Sequence, residues 1–288
     1  MNYQTIKHLF HILKINPWFF LKRSFIELRA FVFPLPKSPL LKEIKGVSFN
    51  FDFNDEDKAR KMYFGAFQPA VEGVLKRCLK SGDVFMDAGA NVGYFSGLAA
   101  GLVGKQGEVH SFEPVPKYFE RLKQLAEANA GFAIKANGFA LGESEKTEKI
   151  YIGGDSHIGD NTFFPDFLKG IEGVESIDVA IRRADKYIEE NNIRNIKLIK
   201  IDVEGYEFPV LLGFSGYFEK RGKEKTCPAI ICEICPKAYS YLGYKLEDIF
   251  DYMKKFSYLP FDILNEKKRV DINKIKERDV VDVLFKPV

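Results

Sequence analysis

The chain has 288 residues, and 43 Lys and Arg against 40 Asp and Glu leave a net charge of +3. Hydrophobic residues at 46% and charged residues at 29% exclude intrinsic disorder, and the near balance of charge speaks against a nucleic-acid partner gripped along a basic face. Four cysteines in a chain of this length exclude a disulfide scaffold, so a reducing, cytoplasmic setting is expected.

The charge is unevenly spread. Residues 1–45 hold eight Lys/Arg and two Glu, a local +6, which leaves −3 for residues 46–288. Within 5–33 two helices are predicted. Asn16 caps the second, Pro17 occupies its first turn, and Trp18, Leu21, Phe25, Leu28 and Val32 recur at spacings of three and four. No stretch reaches the roughly 18–20 apolar residues of a spanning helix. Residues 1–45 therefore read as a basic aromatic helical extension, of which residues 1–36 pack on the core, contact a second copy, or rest peripherally on an anionic membrane. The segment Pro34–Pro39 reads as a stiff linker, and a main domain is expected over 46–288.

Val47, Phe49, Phe51 and Phe53 alternate as a half-buried strand in a hairpin, and a helix is predicted at 67–80. Strands and helices then alternate: Val84–Ala88, helix 92–103, Val109–Glu113, helix 115–130, Ala133–Leu141. A strand near 148–152 and the Gly-rich loop Gly153–His157 follow. The pattern resumes with Ile196–Asp202, helix 206–213, Ala229–Ile234, helix 246–256 and closing strands near 258–264 and 279–285. Repeated βα units predict an α/β, doubly wound, mainly parallel sheet covered on both faces by helices.

Three segments carry chemistry. In Asp87-Ala88-Gly89-Ala90-Asn91-Val92-Gly93 an apolar strand ends in an acid, and a small-residue turn opens directly into a helix. Such turns place a ligand beyond the carboxyl ends of the strands. The middle glycine of a dinucleotide fingerprint is replaced by Ala90-Asn91, which weakens a nicotinamide or flavin reading, although a dinucleotide oxidoreductase stays as an alternative. Glu113, followed by Pro114, ends the next strand, where a carboxylate can accept both hydroxyls of a ribose or simply cap a helix.

The third segment is Lys200-Ile201-Asp202-Val203-Glu204-Gly205-Tyr206-Glu207. Its three acids can serve as general base, ligate a divalent metal, or orient a hydroxyl. Capping accounts for Glu204 and Glu207 better than for Asp202, a charge at the end of a buried strand. Glu233, inside Ala229–Ile234, should be paired or functional. Cys227, Cys232 and Cys235 have an iron–sulfur spacing, but the fourth ligand, Cys78, is far upstream.

Taken together, Asp-Ala-Gly-Ala-Asn-Val-Gly (87–93), Phe-Glu-Pro (112–114) and Lys-Ile-Asp-Val-Glu-Gly-Tyr-Glu (200–207) resemble the FkbM family of S-adenosylmethionine-dependent methyltransferases. The resemblance covers about residues 67–235. It implies a class I, Rossmann-like seven-stranded sheet and S-adenosyl-L-methionine as cofactor. The cofactor would be held by Asp87, Gly89, Ala90, Asn91, Gly93, Glu113 and Pro114, with Phe139 and Ala140 of the third-strand segment near the adenine. It also implies a small-molecule or glycan acceptor methylated on oxygen. For the base, Asp202 comes first, Glu204 second, and His157 on the Gly-rich loop third. Gln68-Pro69 stands where the family pattern has Glu-Pro, which keeps open a binding protein that retains the pocket without catalysis.

Overall fold

The computed structural model describes residues 40–52, 57–153, 161–170, 172–224, 226–276, 278 and 280–288, together with Leu21, Ser24 and Phe25. The two helices expected over 5–33, the Pro-rich linker and His157 lie outside the described residues, apart from those three positions. Leu21 and Phe25 are exposed.

Strands Leu40–Ile44 (β1) and Val47–Phe51 (β2) form the expected hairpin. Lys45 and Gly46 both have positive φ, 54° and 79°, the two-residue turn whose twist matches the strands it joins. The turn sits at the composition boundary near residue 45, and Phe49 of β2 packs on Tyr94 with ring centroids 6.0 Å apart.

After the hairpin come helices Asp57–Phe64 (α1) and Pro69–Cys78 (α2), then the nucleus β3 (Val84–Ala88), α3 (Tyr94–Val103), β4 (Glu108–Phe112), α4 (Pro116–Ala128) and β5 (Ala133–Asn137). An excursion follows: β6 (Ala140–Leu141), β7 (Lys146–Ile152), β8 (Asn161–Thr162) and β9 (Glu175–Arg182). The chain then returns through α5 (Ala184–Glu190), β10 (Ile196–Ile201), α6 (Glu207–Gly213), α7 (Ser215–Glu224) and β11 (Ala229–Ile234). It closes with α8 (Pro236–Tyr239), α9 (Leu246–Lys255), β12 (Tyr258–Asp262), β13 (Asn265–Arg269), α10 (Ile272–Ile275) and β14 (Val281–Pro287).

The central sheet has the order β13-β12-β14-β11-β10-β3-β4-β5. Strands β11, β10, β3, β4 and β5 are mutually parallel, and β14, β12 and β13 add antiparallel. It therefore has eight strands, where the family pattern led us to expect seven. The eighth, β13, is a charged edge strand (Asn-Glu-Lys-Lys-Arg) with no apolar alternation to betray it. The chain runs outward from β3 through β4 to β5, then returns to the other side of β3 as β10. This reversal creates the switch-point crevice at which ligands bind in doubly wound sheets.

Alternate residues feed two separate cores. Met86, Ile199, Ile230 and Phe285 face one layer with α6 and α9, while Phe85, Leu198, Ile231 and Leu284 face the other with α2 and α3. That alternation explains why the parallel strands read as unbroken apolar runs: both faces are buried.

The excursion is a second sheet, ordered β6-β9-β7-β8. Its long antiparallel pair, β7 with β9, was only half visible in the sequence, as a strand near 148–152. In β9, Ile177, Val179 and Ile181 alternate with Ser176, Asp178, Ala180 and Arg182, a period-two signal blurred by Ala180 and by the flanking glycines and charges.

Candidate active site

A cavity of about 370 Å³ opens beyond the carboxyl ends of β3, β4 and β10. Each wall follows from a local feature. Gly89 has φ +78°, and a Cβ there would lie 1.8 Å from the Asp202 carbonyl oxygen, so glycine is required because the end of β10 presses against this turn. Asp202 N donates to the Ala88 carbonyl at 3.1 Å, and Gly89 N and Ala90 N both donate to the Phe112 carbonyl at 3.0 Å. The turn is thus tied to both neighbouring strands.

Glu113 is 5% exposed and lines the cavity. Its carboxylate accepts from Asn91 N and Val115 N, each at 2.9 Å, which fixes the loop after β3 against the one after β4. Burial pushes this carboxyl up to about 7, against those two hydrogen bonds. Each oxygen keeps a second acceptor site, enough for a pair of vicinal hydroxyls.

The centre of the site is a lysine that sequence reasoning missed. Lys200 is 2% exposed, and its ammonium lies 3.0 Å from Asp202 and 3.5 Å from Asp87. Its signal was a Lys inside an apolar strand, two residues before Asp202, where period two puts both on one face. Burial favours the neutral amine, but Asp202 and Asp87 together hold Lys200 above the usual lysine range. Burial likewise works against an ionised Asp202, and Lys200 outweighs it, holding that carboxyl below the ordinary carboxylate range. Glu233 is hydrogen-bonded to Asp202, and burial, reinforced by the Asp202 charge, drives its carboxyl well up. The two carboxyls therefore titrate as a pair, with Lys200 favouring the charge on Asp202 and burial disfavouring it on Glu233.

The site residues expected from the sequence divide into groups. Gly89, Ala90, Asn91, Glu113, Pro114, Ala140, Asp202 and Glu204 line the cavity. Asp87 does not. It is fully buried beneath the turn, accepts from Ser96 Oγ at 2.7 Å, and continues to Ser111 through a hydroxyl chain. Gly93 faces away as well, since a Cβ there would strike Leu122 and Leu125 of α4. Phe139 packs on Phe112 and Tyr187, under the guanidinium of Arg182. Glu207 is fully buried and fixes the turn after β10, accepting from Gly205 N at 2.7 Å and from Tyr239 OH at 3.2 Å. Glu204, by contrast, reaches the cavity.

Three lining residues other than glycine have left-handed backbone: Gln68 (φ 38°), Asn91 (φ 50°) and Glu204 (φ 51°). Strain of this kind gathers at ligand sites. Two buried lining atoms, Gln68 Oε1 and Asn161 Oδ1, have no hydrogen-bond partner among the described residues. One carboxylate oxygen from each of Asp202, Glu204 and Glu233 lies within 4.8 Å of the others, a spacing a divalent cation can bridge, although the Lys200 ammonium already supplies positive charge there. The cysteines form no such group among the described residues.

Residues 87–260, well over half of the chain, match the model of the Methyltransferase FkbM domain. The chain belongs to the FkbM methyltransferase family. It is 24% identical over 184 residues to the hexuronic acid methyltransferase AglP of Haloferax volcanii, covering 62% of this chain and 70% of that one. It is 30% identical over 145 residues to a protein-L-isoaspartate O-methyltransferase of Methanococcus aeolicus (48% and 64%), and 28% identical over 170 residues to the 31-O-demethyl-FK506 methyltransferase FkbM of Streptomyces tacrolimicus (47% and 60%). The chain thus spans less than two thirds of the length of the latter two.

This FkbM-family chain is a methyltransferase whose cofactor is S-adenosylmethionine, on a Rossmann-like doubly wound sheet. The cavity suits that molecule. Glu113, Asp202, Glu204 and Glu233 line it together with Lys58 and Lys200, so carboxyl oxygens are at hand for a cationic sulfonium and for ribose hydroxyls, and the Gln68 and Asn161 oxygens are open acceptors. No helix among the described residues is long and apolar enough to cross a membrane.

Proposed function

We propose that this methyltransferase alkylates a hydroxyl oxygen of a sugar or glycan, with Asp202 receiving the hydroxyl proton. The observation that carries the reading is the Asp202 carboxylate at the cavity wall, 3.0 Å from the buried Lys200 ammonium, which favours its ionised form. In this reading Glu113 holds the ribose, and the loops 89–91 and 112–114 hold the adenosine. The bound cofactor supplies a methyl carbon activated by positively charged sulfur.

The chain has two tasks. It must hold the acceptor oxygen in line, which orientation can reward with several kcal/mol (on the order of 7–11 at best). It must also take a proton that becomes strongly acidic as the new C–O bond forms, and for that a weakly basic carboxylate, its ionised form favoured by Lys200, suffices. A positioned base adds about 10²–10⁴-fold. Glu204 reinforces the negative field, and Gln68 turns a hydrogen-bonding amide toward the acceptor rather than a third charge. The name of AglP supports a sugar acceptor, and that of the Streptomyces relative supports transfer to oxygen.

The test is transfer from methyl-labelled S-adenosylmethionine to a panel of mono- and oligosaccharides, with the product analysed by mass and by alkaline hydrolysis. An alkali-stable methyl ether is expected. Label released by mild base would mark a carboxyl ester, and label only on amines would mark nitrogen transfer; either result removes the hydroxyl reading.

A further inference from the structure

A second groove, of about 450 Å³, adjoins the first and shares Lys58, Phe67, Gln68 and Val280 with it. The two differ in charge. The charged residues of the crevice are four acids and two lysines, whereas six cations and three acids line the groove, the cations being Lys58 and Lys61 from α1, Lys268 and Arg269 from β13, and Lys274 and Arg278 around α10.

The acids of the groove are already engaged. Asp271 caps α10 through Asn273 N and pairs with Lys274, and Asp262 accepts from Leu264 N in the β12–β13 turn. Asp282 is cross-strand partner to Glu233, and burial pushes it up to about 7. No ion pair joins Lys61, Lys268, Arg269 or Arg278 to a carboxylate among the described residues.

At the junction stands Gln68, strained at φ 38° and with a buried, unpartnered Oε1. Phe67, Ile263 and Val280 give the passage apolar surface. A ligand lying across the junction would thus place one end beside Asp202 and the other among guanidinium and ammonium groups, which pair with planar or tetrahedral anions.

We propose that this groove is the acceptor site and takes the anionic group, carboxylate or phosphate, of a charged saccharide. The identity of the acceptor as a sugar rests on the function proposed above; the anion preference rests on the groove alone.

The experiment is calorimetric titration of the full-length protein, loaded with S-adenosylhomocysteine, with glucuronic acid, glucose 1-phosphate and glucose. At least one of the two anions is expected to bind at least tenfold more tightly than glucose, and whichever binds more tightly identifies carboxylate or phosphate. The double variant Arg269→Gln/Arg278→Gln should lose that tenfold while binding S-adenosylhomocysteine as before. Should it fail to fold, Lys268→Gln/Lys274→Gln removes charge from the same groove. Anions that bind no tighter than glucose, or equally well to a folded double variant, overturn the proposal. Charge-dependent binding without methylation of any saccharide would instead leave the groove intact and remove the sugar reading.

Discussion

Asp202→Asn is expected to lower turnover by about 10²–10⁴-fold, the range of a lost general base, while leaving S-adenosylhomocysteine binding measurable. The asparagine keeps the shape of the side chain and removes the charge that receives the proton. It also leaves the buried Lys200 ammonium with Asp87 alone, 3.5 Å away. A melting curve must therefore accompany the kinetics, because a buried ion pair that loses one partner weakens the fold. Wild-type turnover at saturating cofactor should also hold steady as pH falls toward the ordinary carboxylate range, since Asp202 titrates below it. Unchanged turnover in a folded Asp202→Asn protein would remove Asp202 from the mechanism.

Gly89→Ala should be the most damaging single methyl in the cofactor loop. The left-handed backbone costs a non-glycine residue about 1–2 kcal/mol. The added Cβ would also overlap the Asp202 carbonyl oxygen at 1.8 Å, and since that atom is backbone, the end of β10 must move. Overpacking of this kind adds about 1–3 kcal/mol. Moving β10 also displaces Lys200 and Asp202 from the cavity wall, so cofactor binding and turnover should fall together. Gly65→Ala is the matched control: its φ is +72°, with nothing within 4 Å of the new methyl. Urea unfolding should show Gly65→Ala paying only the backbone strain. Equal losses in the two variants would mean that the contact with β10 does not matter.

The part of the site that the sequence displayed is the part built locally. The predicted Val84–Ala88 strand coincides with β3, because an apolar run between Asp83 and Gly89 is bounded by its own turn residues. Glu113 and Asp202 were legible for the same reason, as acids closing apolar strands at a switch point. What the sequence hid depends on register. Lys200, Asp87 and Ser111 stand in one row across β10, β3 and β4, which turns Asp87 into a buried partner instead of a cavity wall. Glu207 looked like one of three equivalent acids, yet the fold directs it inward to Gly205 and Tyr239. The second sheet and the charged strand β13 were least legible, since β7 and β9 pair across a long excursion and β13 has no apolar face. The basic groove brings α1 together with β13 and α10, which lie far from it in the chain, and no local motif announces it.

The central claim is that the crevice between Gly89 and Glu113 holds the adenosine of S-adenosylmethionine. Calorimetry of S-adenosylhomocysteine at pH 6 and pH 8 tests it most directly. Burial raises the Glu113 carboxyl to about 7, whereas ribose hydroxyls bind best to its ionised form. Below that value binding must first remove a proton, so affinity should be about tenfold weaker at pH 6 than at pH 8, with proton release at the lower pH. Glu113→Gln should bind more weakly at pH 8 and lose the pH dependence. An affinity that is the same at both pH values and in the variant, or binding of a nicotinamide dinucleotide in place of S-adenosylhomocysteine, would contradict the account.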